Sequence, residues 1–311
     1  MLPPTPKTPT RALPVTACGA ALALLFAACA AAPTAGPGRP RGGPEAPYPI
    51  LLTASDERHE RALAGWAAVL GTDASASPTP ELRPVTETTV RLPAALAATP
   101  RMPRVIIEDE AEQSEEETRE SLRRFIASAP ALIGSELREL SLVEIVDAPA
   151  GGGGLKVARY QQRPFHYPLR NGFGRVEITF TPDLRVTELT STAIPDGERL
   201  RPLLRSVTRQ FDAQKAAALV VGRGVTYPDA AGQPQTRPVA EADLTPRELV
   251  VFPVRREGPS PALELHYAWE LSVGGAGPPL LVYIDAVTGQ QLAATTEAAV
   301  ETTNEGRGTA N

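Results

Sequence analysis

The stretch Leu263-Glu-Leu-His-Tyr-Ala-Trp-Glu-Leu-Ser-Val273 is the clearest strand pattern in the sequence. Its odd-numbered residues are all apolar and its even-numbered residues are mostly polar, which is the period of a β-strand with one buried face. The apolar run 280–285 follows, and Asp285-Ala-Val-Thr-Gly289 then predicts a hairpin turn with Gly289 in the left-handed conformation. Together these segments predict an antiparallel sheet.

A helix and a second group of strands are predicted upstream of this sheet. Ser114-Glu-Glu-Glu117 has the pattern of a capping box, and an apolar stripe follows it at helical spacing (Leu122, Phe125, Ile126 and Ala129). The stretch Val176-Glu-Ile-Thr-Phe180 alternates as a half-buried strand does. The strand predicted over 140–146 changes phase between Leu142 and Val143, so its inward face is not assigned.

The order of helix and then strands occurs twice, because Asp212 predicts the start of another helix ahead of the C-terminal strands. Helices and strands are therefore segregated along the chain rather than alternated. This order predicts an α+β protein of two consecutive units, each a helix packed on an antiparallel sheet, and argues against a parallel βαβ fold.

The N-terminus has the pattern of an export signal. Lys7 and Arg11 precede an apolar stretch that ends in Phe26-Ala-Ala-Cys29, which predicts a signal peptide over residues 1–28. The ending resembles the lipobox of bacterial lipoproteins, and this resemblance implies lipid attachment at Cys29 and a membrane-anchored protein. Ala30, rather than Asp, follows the cysteine, which implies the outer membrane and periplasm of a Gram-negative cell. The alternative is an ordinary signal peptide cut at an Ala-x-Ala site.

Composition divides the rest of the chain. The formal net charge of −5 makes nucleic acid a poor partner. We expect a proline- and glycine-rich tether, then a poorly ordered region with one short helix from Ser55 to Leu70, two folded units and a disordered polar tail. The corresponding ranges are 29–50, 51–104, 105–200, 201–296 and 297–311.

The two folded units carry a family resemblance. Residues 117–196 resemble the FTP domain of thermolysin- and fungalysin-type metalloprotease propeptides, most distinctively through Arg159-Tyr160-Gln-Gln162. Residues 211–293 are similar to the adjoining PepSY domain, through Tyr267-Ala-Trp269 and the turn from Asp285 to Gly289. The resemblance implies structural roles for these motif residues: Arg159, Tyr160, Gln162, Tyr267, Trp269, Asp285 and Gly289.

No catalytic motif accompanies this resemblance in the sequence. A thermolysin-type zinc site needs His-Glu-x-x-His, and His59-Glu60 supplies only its first half. We expect His59 and His266 to lie on solvent-facing positions and His166 to lie in a polar loop. The sequence therefore predicts a protein that is not an enzyme, with no metal ligands, no catalytic residues and no cofactor.

A segment that mixes arginines with aromatic residues follows the Gln162 strand. Such a mixture can stack on sugars or contact a protein partner, and we take this loop as the candidate partner contact. The alternative is that its aromatic residues belong to the core and its arginines to the rim. The candidate residues are Arg163, Phe165, His166, Tyr167, Arg170 and Phe173.

Propeptide-like domains without a protease predict a non-catalytic envelope lipoprotein that binds a secreted metalloprotease as an inhibitor or folding chaperone. The membrane would be contacted through the lipid on Cys29. Two alternatives stay open. The chain could be the N-terminal propeptide part of a truncated or split M4-type precursor, since this sequence reaches Asn311 without a catalytic domain. It could also be a lipoprotein that binds cell wall or glycans.

Overall fold

Helices and antiparallel sheets are segregated in the structure, so the protein is α+β, as the sequence predicts. The structure is a computed structural model that describes residues 47–71, 78–94, 99–106, 114–148, 154–229, 231–275 and 277–296. All of these residues lie in one compact unit, Pro44–Asn311. The predicted signal peptide, Cys29, most of the tether and the polar tail lie outside the described residues.

The elements are numbered in chain order. The strands are β1 (Ile50–Thr53), β2 (Glu81–Leu82), β3 (Thr89–Arg91), β4 (Leu140–Asp147), β5 (Lys156–Gln162), β6 (Arg175–Phe180), β7 (Val186–Ser191), β8 (Val225–Pro228), β9 (Pro234–Arg237), β10 (Leu244–Arg256), β11 (Ala262–Val273), β12 (Leu280–Asp285) and β13 (Gln291–Thr296). The helices are α1 (Asp56–Leu70), α2 (Glu115–Ser128), α3 (Pro130–Ile133), α4 (Gly197–Ser206) and α5 (Ala213–Val220).

The first sheet is a meander in the order β4-β5-β6-β7, and α2 packs on one of its faces. The predicted capping box forms: the Glu117 N–H donates to Ser114 Oγ (3.2 Å), and the Ser114 N–H donates to Glu117 Oε2 (3.0 Å). The apolar stripe that includes Leu122 and Ile126 is buried in the same core as Ile178 of β6. The other face of β6 is partly exposed, so the prediction of a half-buried strand is confirmed.

β11 is the central strand of the second sheet, and both of its edges are paired. β10 pairs with the whole of β11 along one edge. Along the other edge, β12 pairs with Ala268–Val273 and β1 pairs with Ala262–Leu265, so β1 and β12 lie end to end. The odd-numbered apolar residues of β11 share two buried cores with residues of α4 and α5.

The stretch 51–104 was expected to be poorly ordered apart from its helix, and this expectation is wrong. From Ile50 onward, β1 fills the part of the β11 edge that β12 leaves unpaired, and Leu52 is fully buried there. The helix forms as predicted, with Ser55 as its N-cap and Trp66 in the first core. A four-residue strand has too little pattern to be recognised, because its stability comes from partners far along the chain.

Gln162, at the end of β5, connects the first sheet to the chain that leaves it. Its side chain is almost fully buried. The amide nitrogen donates to Ser135 Oγ (3.1 Å) and to the Ile194 carbonyl oxygen (3.0 Å), and the amide oxygen accepts from the Ile194 N–H (2.8 Å). The side chain thus pairs with backbone as a neighbouring strand would, which gives the Arg-Tyr-x-Gln pattern its structural role.

We predict that Gln162→Ala lowers the free energy of unfolding by about 2 to 4 kcal/mol, because both backbone groups of Ile194 lose their partner in a buried site. Urea unfolding followed by circular dichroism measures this change. The neighbouring Gln161→Ala, at a partly exposed position, is the matched control and is expected to shift stability by about 0.5 kcal/mol or less. Equal effects of the two substitutions would contradict the role assigned to Gln162.

Candidate functional site

A groove of about 980 Å³ lies between α2 and the outer strand of the first sheet, β4. Leu140 and Leu142 of β4, together with Tyr160 of β5, supply apolar lining. The helix supplies charged lining, and three residues from the segments before and after α2 complete it. The full set is Val105, Glu116, Arg119, Glu120, Arg123, Arg124, Leu137, Arg138, Leu140, Leu142 and Tyr160.

The groove follows from the narrow apolar stripe of α2. That stripe is fully used in the core with β6 and β7, as the complete burial of Leu122 and Ile126 shows. The helix face next to it carries charges at positions 116, 119, 120 and 123, which are spaced at one and two turns. A charged face cannot bury the apolar side chains of β4, so Leu140, Leu142 and Ile145 stay only partly buried.

Arginines outnumber glutamates around the groove, with four of the former and two of the latter in its lining. Two of their ion pairs lie near the surface: Arg119 with Glu115 (2.5 Å) joins two exposed side chains, and Arg124 with Glu120 (3.0 Å) joins an exposed to a half-buried side chain. Such pairs contribute little to stability and are easily exchanged for a ligand's charges. The lining arginines therefore keep glutamate partners, which the carboxylate of a ligand would have to displace.

Tyr160 lies in this groove as a neutral hydroxyl. Burial raises its pKa to about 12, and the nearby Arg123 guanidinium opposes that rise. The side chain is 4% exposed, although it lines the groove. At physiological pH it can therefore donate or accept a hydrogen bond and brings no charge.

The edges of the two sheets are covered differently. On the outer edge of β7, the Val186 N–H donates to the Pro100 carbonyl oxygen (2.8 Å), so the segment after β3 covers it. On the outer edge of β10, the Val251 N–H donates to the Pro168 carbonyl oxygen (2.9 Å), and the Arg170 N–H donates to Val251 (3.1 Å). No described residue pairs its backbone with the outer edge of β4, which the groove adjoins.

A β-bulge interrupts this free edge. The pairing of β4 with β5 shifts register between Leu142 and Glu144, and the intervening Val143 is 65% exposed. The phase change in the sequence marked this bulge, since one extra residue reverses which side chains face inward. A bulge is one of the ways in which natural proteins limit uncontrolled pairing of an edge strand. A strand that adds here would pair on either side of Val143.

The arginine-aromatic loop is not the exposed contact surface that the sequence suggested. Phe165 and Phe173 are 9% and 6% exposed and belong to the core beneath the second sheet. The backbone of Pro168–Arg170 covers the β10 edge instead, and the Asn171 side chain donates to the Pro253 carbonyl oxygen (2.8 Å). The prediction is therefore wrong for the two phenylalanines, and the alternative that they belong to the core is confirmed.

The remaining residues of this loop have separate roles. Arg163 and His166 are exposed, as expected for a polar loop, and Tyr167 is half-buried. Arg170 donates from Nε to the buried Glu270 (2.6 Å) and also pairs with Glu248. Burial by itself lowers the pKa of Arg170. The hydrogen bond to Glu270 and the charges of both glutamates raise the pKa by more than burial lowers it, so the net shift is upward. This ion cluster fixes the loop on the second sheet.

Apart from Tyr160, which lines the groove, the family-motif residues stabilise the fold. Arg159 pairs with Glu144 (2.6 Å) and lies 3.7 Å from Glu177 on the polar face of the first sheet. In the second sheet, Trp269 Nε1 donates to the Phe211 carbonyl oxygen (2.9 Å), and the Tyr267 ring meets Tyr167 edge-on.

The predicted hairpin turn at the end of β12 is confirmed. Gly289 has φ +73°, and a Cβ there would meet Leu219 and Phe211 at 2.9 Å. Asp285 begins this turn and is fully buried. Its Oδ1 accepts hydrogen bonds from the N–H groups of Val287 (2.7 Å) and Thr288 (2.9 Å), so the carboxylate fixes the turn from inside.

His266 was expected to face solvent, and the structure buries it. It is 8% exposed, and its Nδ1 lies 2.7 Å from Asp285 Oδ2, which also accepts from the Tyr48 hydroxyl (2.9 Å). Tyr48 enters with β1 and covers the His266 ring edge-on at 5.6 Å, which the sequence could not indicate. The other ring nitrogen, Nε2, lies 3.4 Å from Glu264 Oε2.

The Asp285 carboxylate has its lone pairs occupied, which makes the cluster a structural one. Burial by itself raises the pKa of Asp285, but hydrogen bonds from His266, from the two turn N–H groups and from Tyr48 outweigh burial and lower it. Burial first, and then the charge of Asp285, raise the pKa of Tyr48 far above its ordinary value. A carboxylate that accepts four such bonds has no free site for a substrate proton.

The other predicted features stand as follows. His59 is exposed, as predicted, and its Nδ1 lies 2.8 Å from Glu87 Oε2. Within the described ranges, no three His, Cys, Asp or Glu side chains form a group that could hold a metal ion. In the same part of the chain, no helix combines the length and hydropathy needed to cross a membrane. The lipid-attachment residue Cys29 lies outside the described residues.

Comparison with known proteins gives little further guidance. No family model and no curated protein matches the sequence. Among solved structures, the chain is similar to the C-terminal domain of Bacillus megaterium YpeB, with 10% sequence identity and a TM-score of 0.25. The match covers 78% of this chain and 98% of that domain. A likeness this low does not establish a family, and the propeptide resemblance remains a prediction.

We predict that the stability contributed by Asp285 is lost in acid. Its pKa in the folded protein lies below the ordinary value of 3.8, so the stabilisation is complete above about pH 5 and declines as the pH falls through the ordinary value and below it. Asp285→Asn should therefore lower the free energy of unfolding at neutral pH and flatten its decline in acid, as urea unfolding at several pH values would show. The exposed Asp147→Asn is the control, and an unchanged acid dependence in Asp285→Asn would contradict the assignment.

Proposed function

We propose that this chain is a non-catalytic binding protein of the cell envelope that holds an extended segment of a partner protein between α2 and β4. By resemblance, the partner is a secreted thermolysin-type metalloprotease, which the chain inhibits or helps to fold. The observation that carries the proposal is the groove itself: a partly buried apolar wall lies beside the outer edge of β4, which no described residue pairs.

An extended segment fits this geometry because the β4 edge can pair with its backbone and the groove can take up its side chains. Its backbone can pair with the free N–H and C=O groups of β4, which supplies affinity without regard to sequence. Its alternate side chains would then reach Leu140 and Leu142 in the groove, and burial of apolar surface contributes about 25 cal/mol for each Å² removed from water. Side-chain choice along the groove would give specificity.

A segment that carries carboxylates could replace the glutamates that now pair with the arginines of the groove. Arg119, Arg123, Arg124 and Arg138 line it, against Glu116 and Glu120. Complementary charge mainly speeds association and rejects partners of the wrong sign. A segment with carboxylates next to its apolar residues would therefore bind faster than a neutral one, and added salt would slow it.

Cys29 supports the envelope location in this proposal. A diacylglycerol on this residue would hold the folded part of the chain at the outer membrane, facing the periplasm if the cell is Gram-negative, with a proline- and glycine-rich segment between. A propeptide ordinarily leaves with its protease. A propeptide-like chain fixed by a lipid would remain at the envelope, where it can act on more than one partner molecule in turn.

We predict that the purified protein inhibits a thermolysin-type protease in a peptide-hydrolysis assay and that Leu142→Glu weakens this inhibition by about tenfold or more, because a carboxylate on the apolar wall must lose its hydration when the segment binds. Ser141→Glu, on the opposite face of the same strand, is the matched control. Arg123→Glu, at a 64% exposed side chain that cannot disturb the core, should weaken inhibition as well.

One outcome would contradict the propeptide-like role, and another would contradict only the assignment of the groove as the binding site. If the wild-type protein neither inhibits the protease nor improves its refolding yield, the propeptide-like role is wrong. If it inhibits but Leu142→Glu and Arg123→Glu behave like Ser141→Glu, the partner binds elsewhere and the groove is not the site.

We predict that Cys29→Ser abolishes incorporation of radiolabelled palmitate and moves the protein from the membrane fraction to the soluble fraction. Cys18→Ser, the only other cysteine position, is the matched control and should retain both the label and the membrane fraction. Label retained by Cys29→Ser would contradict the proposed anchor. A soluble, correctly exported wild-type protein without label would indicate the ordinary signal peptide instead.

A further inference from the structure

We propose that α4 and the residues that follow it form a second binding surface, which docks the folded part of the chain against an anionic membrane. This inference rests on the proposed lipid anchor, which would bring the folded part of the chain to the membrane. The surface itself does not include the groove. It is defined by Arg199, Arg201, Leu203, Arg205, Arg209 and Tyr167, and we call it the α4 surface.

The charge of this segment opposes that of the whole chain. Residues 197–209 contain four arginines and a single acidic residue, Glu198, in a protein with a formal net charge of −5. Leu203, between these arginines, is 36% exposed and is one of the few large apolar side chains that the described residues leave open to solvent. A basic helix with an exposed apolar residue is typical of segments that lie on membrane surfaces.

Half of the positive charge on this surface is not neutralised within the described part of the chain. Arg201 pairs with Glu139 (2.9 Å), and Arg199 lies 3.5 Å from Asp196. Glu198 is engaged by Arg138. Among the described residues no carboxylate lies within ion-pair distance of Arg205 or Arg209, both of which are exposed. These two guanidinium groups remain available for an external anion.

An aromatic residue holds this free charge in place. Arg209 donates from a terminal guanidinium nitrogen to the Tyr167 hydroxyl (2.8 Å), and its guanidinium carbon lies 5.8 Å from the centre of the Tyr167 ring. The Tyr167 ring in turn packs edge-on against Tyr267 at 5.5 Å. Arg209 and Arg205 are both close enough to Tyr267 to oppose the rise that burial causes in its pKa. The two free arginines therefore belong to one patch.

The patch adjoins the point where the chain arriving from Cys29 enters the fold. The backbone N–H of Tyr267 donates to the Tyr48 hydroxyl (3.1 Å). Tyr48 lies next to Pro47, where the described part of the chain begins. A membrane anchor upstream of Tyr48 would therefore keep the α4 surface within reach of the lipid headgroups. This continuity favours a membrane over an acidic protein as the partner.

Docking in this way would also orient the groove. The ion pair between Arg138 and Glu198 joins a groove-lining residue to the first turn of α4. A chain held by its lipid alone could tumble within the reach of its tether, whereas a chain held at two places presents the groove at a fixed height above the membrane. Each basic residue near an anionic bilayer adds to the attraction, so a few arginines are enough to hold this surface against the membrane.

The test uses residues 29–311 with Cys29→Ser, so that neither a lipid nor the basic, apolar signal segment contributes, and sedimentation with vesicles of phosphatidylcholine alone or with about 30% phosphatidylglycerol. Wild-type binding should favour the anionic vesicles and fall as salt is added. The double variant Arg205→Gln with Arg209→Gln should have a partition coefficient for anionic vesicles that is lower by about tenfold or more. Arg91→Gln with Arg223→Gln, which removes the same charge from exposed positions elsewhere, is the matched control and should leave it unchanged.

Several results would overturn the α4 surface. Equal partitioning of the two double variants, or equal binding of the wild-type protein to both kinds of vesicle, would do so. Loss of protease inhibition in Arg205→Gln with Arg209→Gln, at unchanged vesicle binding, would assign the patch to an acidic protein partner instead. The groove variant Leu142→Glu should bind vesicles normally, so a failure of the proposed groove function and a failure of this surface are distinguishable.

Discussion

The pairing of both edges of β11 is the constraint on which the rest of the structure depends. β10 occupies one edge along its whole length, and the other edge is shared by β12 and β1. Where these two strands meet, a cluster forms from three distant parts of the chain: Asp285 ends β12, Tyr48 precedes β1 and His266 lies on β11. Asp285 and His266 are buried and Tyr48 is half-buried, so removal of Asp285 takes a hydrogen-bond acceptor away from both of the other side chains.

The same need to satisfy backbone edges explains the arginine-aromatic loop. The outer edge of β10 would present unpaired N–H and C=O groups, and the backbone of Pro168–Arg170 covers them while Phe165 and Phe173 fill the core below. The cluster of Arg170, Glu248 and Glu270 fixes the loop in this position. A feature that reads as a contact surface in the sequence is therefore an internal connection between the two sheets.

The proposed function depends on the surfaces that this arrangement leaves uncovered. In the described part of the chain, the outer edge of β4 has no partner, and the charged side of α2 keeps the adjoining apolar wall open as a groove. The α4 surface lies where the N-terminal segment joins the second sheet and is connected to the groove through Arg138 and Glu198. Partner binding in the groove and membrane docking at α4, as proposed, would thus act on one compact unit.

The sequence by itself determined the α+β class, the capping box of α2, the alternation of β6 and the turn that needs Gly289, because each depends on neighbours only a few residues away. Even the bulge at Val143 appeared as a phase change. Only the tertiary structure decided that 50–53 is a strand, that His266 is buried and that Phe165 and Phe173 face inward. These outcomes depend on contacts between residues far apart in the chain, and periodicity records which side of an element is apolar but not what will cover it.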